Sequence, residues 1–297
     1  MIVKFWGVRG SIPVPGPTTV RTGGNTSCVQ VTGGKDVFIL DSGTGIRELG
    51  RDLDRSPDRR PIHLLLSHTH WDHIQGLPFF TPLYRRGQEI TVYGPRGLDR
   101  GLEEAVLVQL QRLYFPIRRG EISAKLSFRE LGEESFELDG ARITTKWMNH
   151  PVLSLGFRIT IDGRSVIYTG DNEPYTFYHV YAPASESTVK IGISDRERSK
   201  RRQALLDFFT GAQLLVSDSQ YSDEEYKQKI GWGHSPLSYV VEMAAEAGAQ
   251  RLALFHHDPF HSDVDLERLH ETAVRLMRDR SKGCSVLLAK EGDEITL

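Results

Sequence analysis

Within the stretch LLLSHTHWDHIQG (64–76), four residues carry side chains that bind metal ions: His68, His70, Asp72 and His73. Histidine is awkward to bury, since each ring nitrogen needs a partner or a proton, and three of the chain's eleven histidines sit in these six positions. The segment follows an apolar run, Leu64 to Leu66. In an extended loop leaving a strand, His68 and His70 project to the same side while the adjacent Asp72 and His73 point different ways, so one segment can feed two metal ions. A bare H-x-H matches often by chance. The complete H-x-H-x-D-H directly after an apolar strand reads instead as a metal site.

Such a site needs a folded frame, and the composition supplies one. A length of 297 residues with 39% hydrophobic content is enough for a real core. Lys and Arg number 37 against 39 Asp and Glu, a net charge of -2, so the chain is not a polycation built to track phosphates, and any nucleic-acid contact must be local. The N-terminal stretch MIVKFWGVRGSIPVPG has no apolar core of signal-peptide length, and no run approaches a membrane span. A cytoplasmic location and no membrane partner are expected. The two cysteines, Cys28 and Cys284, lie far apart outside any C-x-x-C spacing, which argues against both a disulfide framework and a thiolate metal site.

Periodicity predicts many short strands mixed with helices. Strands are expected at 2–6, 28–31, 37–40, 63–66, 90–93, 141–147, 155–161, 165–168, 214–217, 252–255 and 286–289. Helices are expected at 97–113, 201–209, 263–280 and after Ser235-Pro236, where Leu237, Val240, Val241 and Ala244 fall at i, i+3, i+4, i+7, with Ser235 as N-cap and Pro236 as first helical residue. No linker or tandem repeat divides the chain. The expected class is α+β: one domain over 1–297, a four-layer αββα sandwich of two mixed sheets packed face to face with helices outside.

The motif His68, His70, Asp72, His73 resembles the signature of the metallo-β-lactamase-fold hydrolases, and further landmarks follow in that family's order. MNHP presents His150, IYTGDN presents Asp171, and LALFHHDP presents His256 or His257. The resemblance covers nearly the whole chain. It implies that His68, His70 and His150 hold one metal ion, that Asp72, His73 and the late histidine hold the other, and that Asp171 bridges them. His256 is preferred because it lies three residues before Pro259, with His257 as the alternative. In LDSGTG, Asp41 resembles the aspartate that orients a histidine ligand in this family, although an Asp opening a Gly-rich turn would read the same. Nitrogen and carboxylate ligands without thiolate fit two zinc ions, with manganese or iron as alternatives.

Differences from family members narrow the chemistry. Oxygen-reducing di-iron members carry a carboxylate where His70 stands, and one group of antibiotic-hydrolysing members carries a cysteine where Asp171 stands. Phosphodiesterase members pair a Gly-His-Ser histidine with an upstream acidic residue; here GWGHSP offers His234 and LLVSDSQY offers Asp218, an Asp where Glu is usual. The pair implies that His234 contacts the phosphate or protonates the leaving oxygen, at a helix N-terminus that favours an anion. Asp72 doubles as ligand and proton acceptor. The tRNA-processing members insert a tRNA-gripping arm between the positions of His150 and Asp171, where this chain has only two strands' worth of residues.

Two elaborations stand out, 97–120 as a lid or homodimer contact or simply core, and 173–202, where Tyr175, Phe177, Tyr178 and Tyr181 precede a basic run suited to stacking a base and holding phosphate. The expected function is hydrolysis of a small phosphodiester, a cyclic nucleotide above all, with no extended nucleic acid as partner; FWGVRGSIPVPG and GGNTSC also resemble the cyclic-nucleotide phosphodiesterase group of the fold. The alternatives are a metallohydrolase acting on a thioester, lactone or longer nucleic acid, and a non-catalytic metal-binding protein.

Overall fold

A computed structural model describes residues 1–57, 59–96, 100–182, 187–281 and 283–297. In chain order the first part contains β1 (Ile2–Gly7), β2 (Cys28–Gly33), β3 (Asp36–Leu40), α1 (Ile46–Asp54), β4 (Ile62–Leu65), α2 (Trp71–Ile74), β5 (Glu89–Pro95), α3 (Leu102–Leu107) and β6 (Lys125–Leu131). There follow β7 (Ser135–Leu138), β8 (Ala141–Met148), β9 (Ser154–Ile161), β10 (Arg164–Tyr168), β11 (Phe177–Ala182), β12 (Ser187–Gly192) and α4 (Asp195–Phe209). The chain ends with β13 (Leu214–Asp218), α5 (Asp223–Lys229), α6 (Leu237–Glu246), β14 (Arg251–Phe255), α7 (Asp263–Arg280), β15 (Ser285–Leu288) and β16 (Glu294–Thr296).

Two compact units result, one of Met1–Leu131 with Lys290–Leu297, the other of Gly132–Ala289. Each is built on a mixed seven-stranded sheet, in the order β16-β1-β2-β3-β4-β5-β6 in the first and β15-β14-β13-β10-β9-β8-β7 in the second. The protein is α+β, as its sequence leads one to expect.

In the first sheet the pairs from β16 to β3 are antiparallel and those from β3 to β6 parallel. The second sheet repeats this division, parallel from β15 to β10 and antiparallel from β10 to β7. β4 and β13, each between two parallel neighbours, are buried throughout, which is why IHLL and LLVSD show no polar alternation. The first unit's core gathers Ile39, Leu64 and Val92 from its strands, with Ile46 and Leu49 of α1. The second unit's core gathers Leu215, Leu252 and Leu254 with the apolar stripe Leu237, Val240, Val241 and Ala244 of α6.

Several expectations need correction. α6 begins at Leu237, with Pro236 rather than Ser235 at its cap; the Ser235 hydroxyl donates instead to the Asn172 carbonyl at 2.6 Å. α4 starts at Asp195, capped by Ser194, six residues before the expected start, because its first turns carry only polar side chains. The helix expected at 97–113 is short: 97–99 lie outside the described residues, α3 spans Leu102–Leu107, and a single 3-10 turn covers Val108–Leu110. Val106 and Leu110 are core, but Leu113 is 82% exposed. In 173–202, Tyr175 and Phe177 are buried and so present no stacking face, while the side chains of Tyr178 and Tyr181 lie outside the described residues. The basic run there is the outer face of α4, where Arg202 pairs with Glu242 and Glu246.

Among the described residues no helix is long and apolar enough to cross a membrane. Both cysteines are free thiols. Burial pushes the Cys28 thiol well above its ordinary value and that of Cys284 up to about 11, so neither is a ready thiolate.

Candidate functional site

In the first unit the chain leaves β4 at Leu65, bends at Ser67 and reaches His70, whose backbone is extended, before curling into the single turn α2. The expected extended backbone thus holds at His70, whereas Asp72 and His73 stand on a helical turn that the His73 N–H closes onto the His70 carbonyl at 3.0 Å. Asp41, just past β3, fixes the cluster. Its Oδ1 accepts the Ser67 N–H at 2.7 Å, and its Oδ2 accepts the Ser67 hydroxyl at 2.8 Å and meets His73 Nδ1 at 2.7 Å. Ser67 Oγ is also 3.0 Å from His68 Nδ1.

Each of these two imidazoles therefore spends Nδ1 on the protein and leaves Nε2 as the nitrogen that could bind a metal, the arrangement by which outer partners orient ligating histidines. The rings of His68 and His70 lie 4.6 Å apart and those of His68 and His73 4.2 Å apart. His73 Nε2 and Asp72 Oδ2 converge to 3.3 Å. The Asp72 carboxylate is anchored by the Ser11 backbone N–H at 2.7 Å, and Gly43 lets the LDSGTG loop approach it: a Cβ there would fall 2.4 Å from the Asp72 carbonyl oxygen.

The second unit collects its residues from strand ends. His150 follows β8, Asp171 follows β10, Asp218 closes β13 and His256 follows β14. β8 runs in the same direction as β10, so all four emerge at the carboxyl ends of strands, the usual place for a site on a sheet of this kind. Asp171 is the hub. Its Oδ1 is 3.1 Å from His256 Nε2, and its Oδ2 is 3.8 Å from both His150 Nε2 and His234 Nδ1. One ligand atom each from Asp171, Asp218, His234 and His256 fall within 4.8 Å of one another.

The alternative His257 turns away, with its Nε2 on the Ala289 carbonyl at 2.9 Å. His256 instead takes a left-handed backbone, φ 59°, and its Nδ1 meets Gln220 Oε1 at 2.9 Å. His234 Nδ1 bonds Asp218 Oδ2 at 2.9 Å, and its ring stacks on that of His256 at 4.9 Å. Burial pushes the Asp218 carboxyl above its usual range, and the His234 charge and hydrogen bond work against that shift. The helix-end argument for His234 weakens here, since the first N–H of α6, that of Leu237, already donates to the Tyr221 carbonyl at 3.0 Å.

Two positioning groups escaped the sequence reading. His150 Nδ1 bonds the Gly233 carbonyl at 2.9 Å; Gly233 has φ 91°, and a Cβ there would lie 2.3 Å from that same nitrogen. Glu173 is fully buried and holds this loop, accepting the N–H groups of Gly231 at 2.6 Å and Gly233 at 2.9 Å and the Tyr226 hydroxyl at 2.9 Å. GWG signals a tight turn, but nothing in the sequence pairs Glu173 with it. Imidazoles gathered with buried carboxylates, with no thiolate among them, fit divalent metal ions.

Comparison with known proteins agrees with this architecture. A family model described as "Beta-lactamase superfamily domain" matches residues 37–257. The chain is 22% identical to ribonuclease Z of Streptococcus pneumoniae (strain CGSP14), a similarity spanning 82% of this chain and 86% of that protein. Among solved structures it is similar to the metallo-β-lactamase fold protein YhfI from Bacillus subtilis, with TM-score 0.66, 20% identity and 99% of each chain covered. It is also similar to a diphosphatase from the PhnP family, with TM-score 0.65, 17% identity, and 100% of this chain and 97% of that one covered. The fold is that of the metallo-β-lactamases.

Proposed function

Because the chain belongs to the β-lactamase superfamily, and is a metal-binding hydrolase of that family, we propose that it is a dinuclear-metal phosphodiesterase acting on a small nucleotide, with a cyclic nucleotide as the foremost candidate. In this reading the domain works as one catalytic body over 1–297. His68, His70 and His150 hold one ion, Asp72, His73 and His256 hold the other, and Asp171 serves both. Zinc suits this all-nitrogen-and-oxygen set, with manganese and iron as the other candidates. When bound, the ions supply Lewis-acid polarisation and an acidified water.

The protein's own groups do the rest. Asp41 and Ser67 keep two imidazoles in the ligating orientation. Asp72 accepts the proton of the attacking water, and His234, oriented by Asp218, contacts the phosphate and donates a proton to the leaving oxygen. The observation that carries the choice of phosphodiester is this His234–Asp218 pair standing beside Asp171 in one buried cluster. A thioester's thiolate departs without protonation, whereas the alkoxide of a phosphodiester gains from a proton donor placed there. Free thiols at Cys28 and Cys284 fit a reducing, cytoplasmic setting.

A second reading is processing of RNA 3′ ends, favoured by similarity to ribonuclease Z over 82% of the chain. Against it, β9 and β10 are joined by the two-residue turn Asp162–Gly163, both left-handed, which leaves no arm to grip a folded RNA. The test is a parallel assay of the metal-loaded protein on bis(p-nitrophenyl) phosphate, cyclic nucleotides, a tRNA precursor, a β-lactam and a glutathione thioester. Cleavage of the diester and a cyclic nucleotide is expected. Faster turnover of the β-lactam or thioester than of every diester overturns the substrate class, and faster cleavage of the tRNA precursor transfers the assignment to RNA.

A further inference from the structure

Beside the HxHxDH loop, and wholly within the first unit, lies a pocket of about 420 Å³. It is lined by Thr69, Trp71, Ile74 and Gln75 of the candidate ligand segment and by Tyr114 and Phe115 from the segment after α3. We infer that this pocket is a nucleobase subsite, which holds the base of a nucleoside phosphodiester while its phosphate lies at the neighbouring His70 and Asp72. The inference rests on the phosphodiester reading above and adds the part of the substrate that the protein recognises.

Three observations carry it. First, Trp71 is 77% exposed although its neighbour Asp72, a candidate ligand, is buried, and His70 on its other side is another candidate ligand. A molecule resting on its ring is one residue away from two metal donors. Second, Tyr114 and Phe79 on the same lining are 64% and 54% exposed, and the Phe79 ring is held edge to face on Phe115 at 5.3 Å. Large aromatic faces left in water around one concavity mark a binding surface, and π-faces suit a flat heterocycle whatever its sequence identity. The volume falls within the usual range for small-ligand sites, about 300–1,000 Å³.

Third, two of the polar side chains on the lining are amides, Gln75 and Gln109, beside the hydroxyls of Thr69 and Tyr114. Gln109 donates its Nε2 to the carbonyls of Ile74 at 3.1 Å and Val106 at 3.0 Å, so its orientation is set and Oε1 is the acceptor it can still offer, a match for an exocyclic amine or ring N–H. A purely aliphatic occupant would make no use of an oriented amide. The shortened α3 acquires a purpose in this arrangement: ending the helix at Leu107 swings Leu113 and Tyr114 outward instead of continuing the core stripe.

The test uses two esters that release the same p-nitrophenolate, thymidine 5′-(p-nitrophenyl phosphate) and methyl p-nitrophenyl phosphate, on metal-loaded wild type and Tyr114→Ala. The wild type should prefer the nucleoside ester in kcat/KM, and the variant should lower that preference about five- to hundredfold, the range for loss of one stacking contact, mainly through KM. Equal kcat/KM for the two esters in the wild type, or a preference untouched by Tyr114→Ala, overturns the subsite. If neither ester is cleaved, the phosphodiester reading has failed, and the subsite is then judged by binding alone. Thymidine 5′-monophosphate should quench the fluorescence that Trp71→Phe removes, more weakly in Tyr114→Ala, and absence of quenching overturns the subsite as well. Sedimentation in parallel covers the remaining occupant, because a dimer that Tyr114→Ala converts to monomer makes this face a contact between two copies and overturns the inference.

Discussion

The two units present their candidate ligands in contrasting ways. In the first, four residues within six positions share one loop and one helical turn, and a single carboxylate, Asp41, braces the cluster through Ser67 and His73. In the second, the residues come from four strand ends and a loop, and each histidine has its own brace: Gly233 for His150, Gln220 for His256, Asp218 for His234. A contiguous set depends on local hydrogen bonds. A dispersed set depends on strand register, since β10, β13 and β14 must align Tyr168 with Val216 and Asp218 with Phe255 before Asp171 and His256 can meet, and a slip of one residue would turn those side chains to the other face.

The largest effect should come from removing the metal that both sets are expected to share. Chelation should abolish hydrolysis, and reconstitution should restore it at about two ions per chain. Retention of full activity at no more than one ion would break the dinuclear assignment. Next, Asp72→Ala in the contiguous set should lower kcat by about 10²–10⁴, the range for loss of a proton-transfer group, with ligand loss added, while Asp171→Ala in the dispersed set should lower kcat through ligand loss. Metal content separates the two, because Asp171 meets two candidate ligands of its own unit, and its loss should cost more bound metal.

Smaller effects sharpen the contrast between the braces. Asp41→Asn keeps a residue tolerant of the left-handed backbone at φ 60° but removes the charge opposite His73, and Gly233→Ala pushes a methyl group into His150. Each should cost about 10–100-fold in metal affinity or activity, as outer partners of ligands do; parity with wild type would show that the ligands orient themselves. His234→Ala should slow substrates with alkoxide leaving groups more than those releasing p-nitrophenolate, which departs without protonation. A uniform loss across such a series leaves His234 with phosphate binding alone.

The smallest effect on turnover belongs to His63→Ala. His63 is tied to Asp36 and to the Tyr93 hydroxyl at 3.2 Å each, away from the loop, so the substitution should cost about 1–3 kcal/mol of stability while kcat holds. Thermal melts paired with kinetics check this, and a loss of kcat equal to that of Asp72→Ala would show that the ligand variants report misfolding.

Much of this molecule is legible in the sequence, and what is missed has a physical pattern. Strands between parallel neighbours announce themselves as apolar runs, and α7 was expected at its observed limits of Asp263–Arg280 because its capping serine and long amphipathic stripe are local. β6, β7, β11, β12 and β16 went unseen; the edge strand β6, KLSFREL, buries one face only in part and carries mixed polarity. α5 was missed although SDEE is a capping box, for its seven residues bury no side chain and so show no apolar period.

The sequence by itself determined which residue types are available for metal chemistry, the order in which they occur, and the α+β alternation that carries them, because those features are written in neighbouring residues. Only the tertiary structure decided which nitrogen of each imidazole is committed, that His256 rather than His257 turns to Asp171, and that Glu173 and Gly233 stand behind His150. Those choices hang on the left-handed backbones at Asp41, Gly233 and His256 and on hydrogen bonds between residues tens of positions apart. Neither leaves a local pattern, since a φ angle and a partner across the sheet are products of packing.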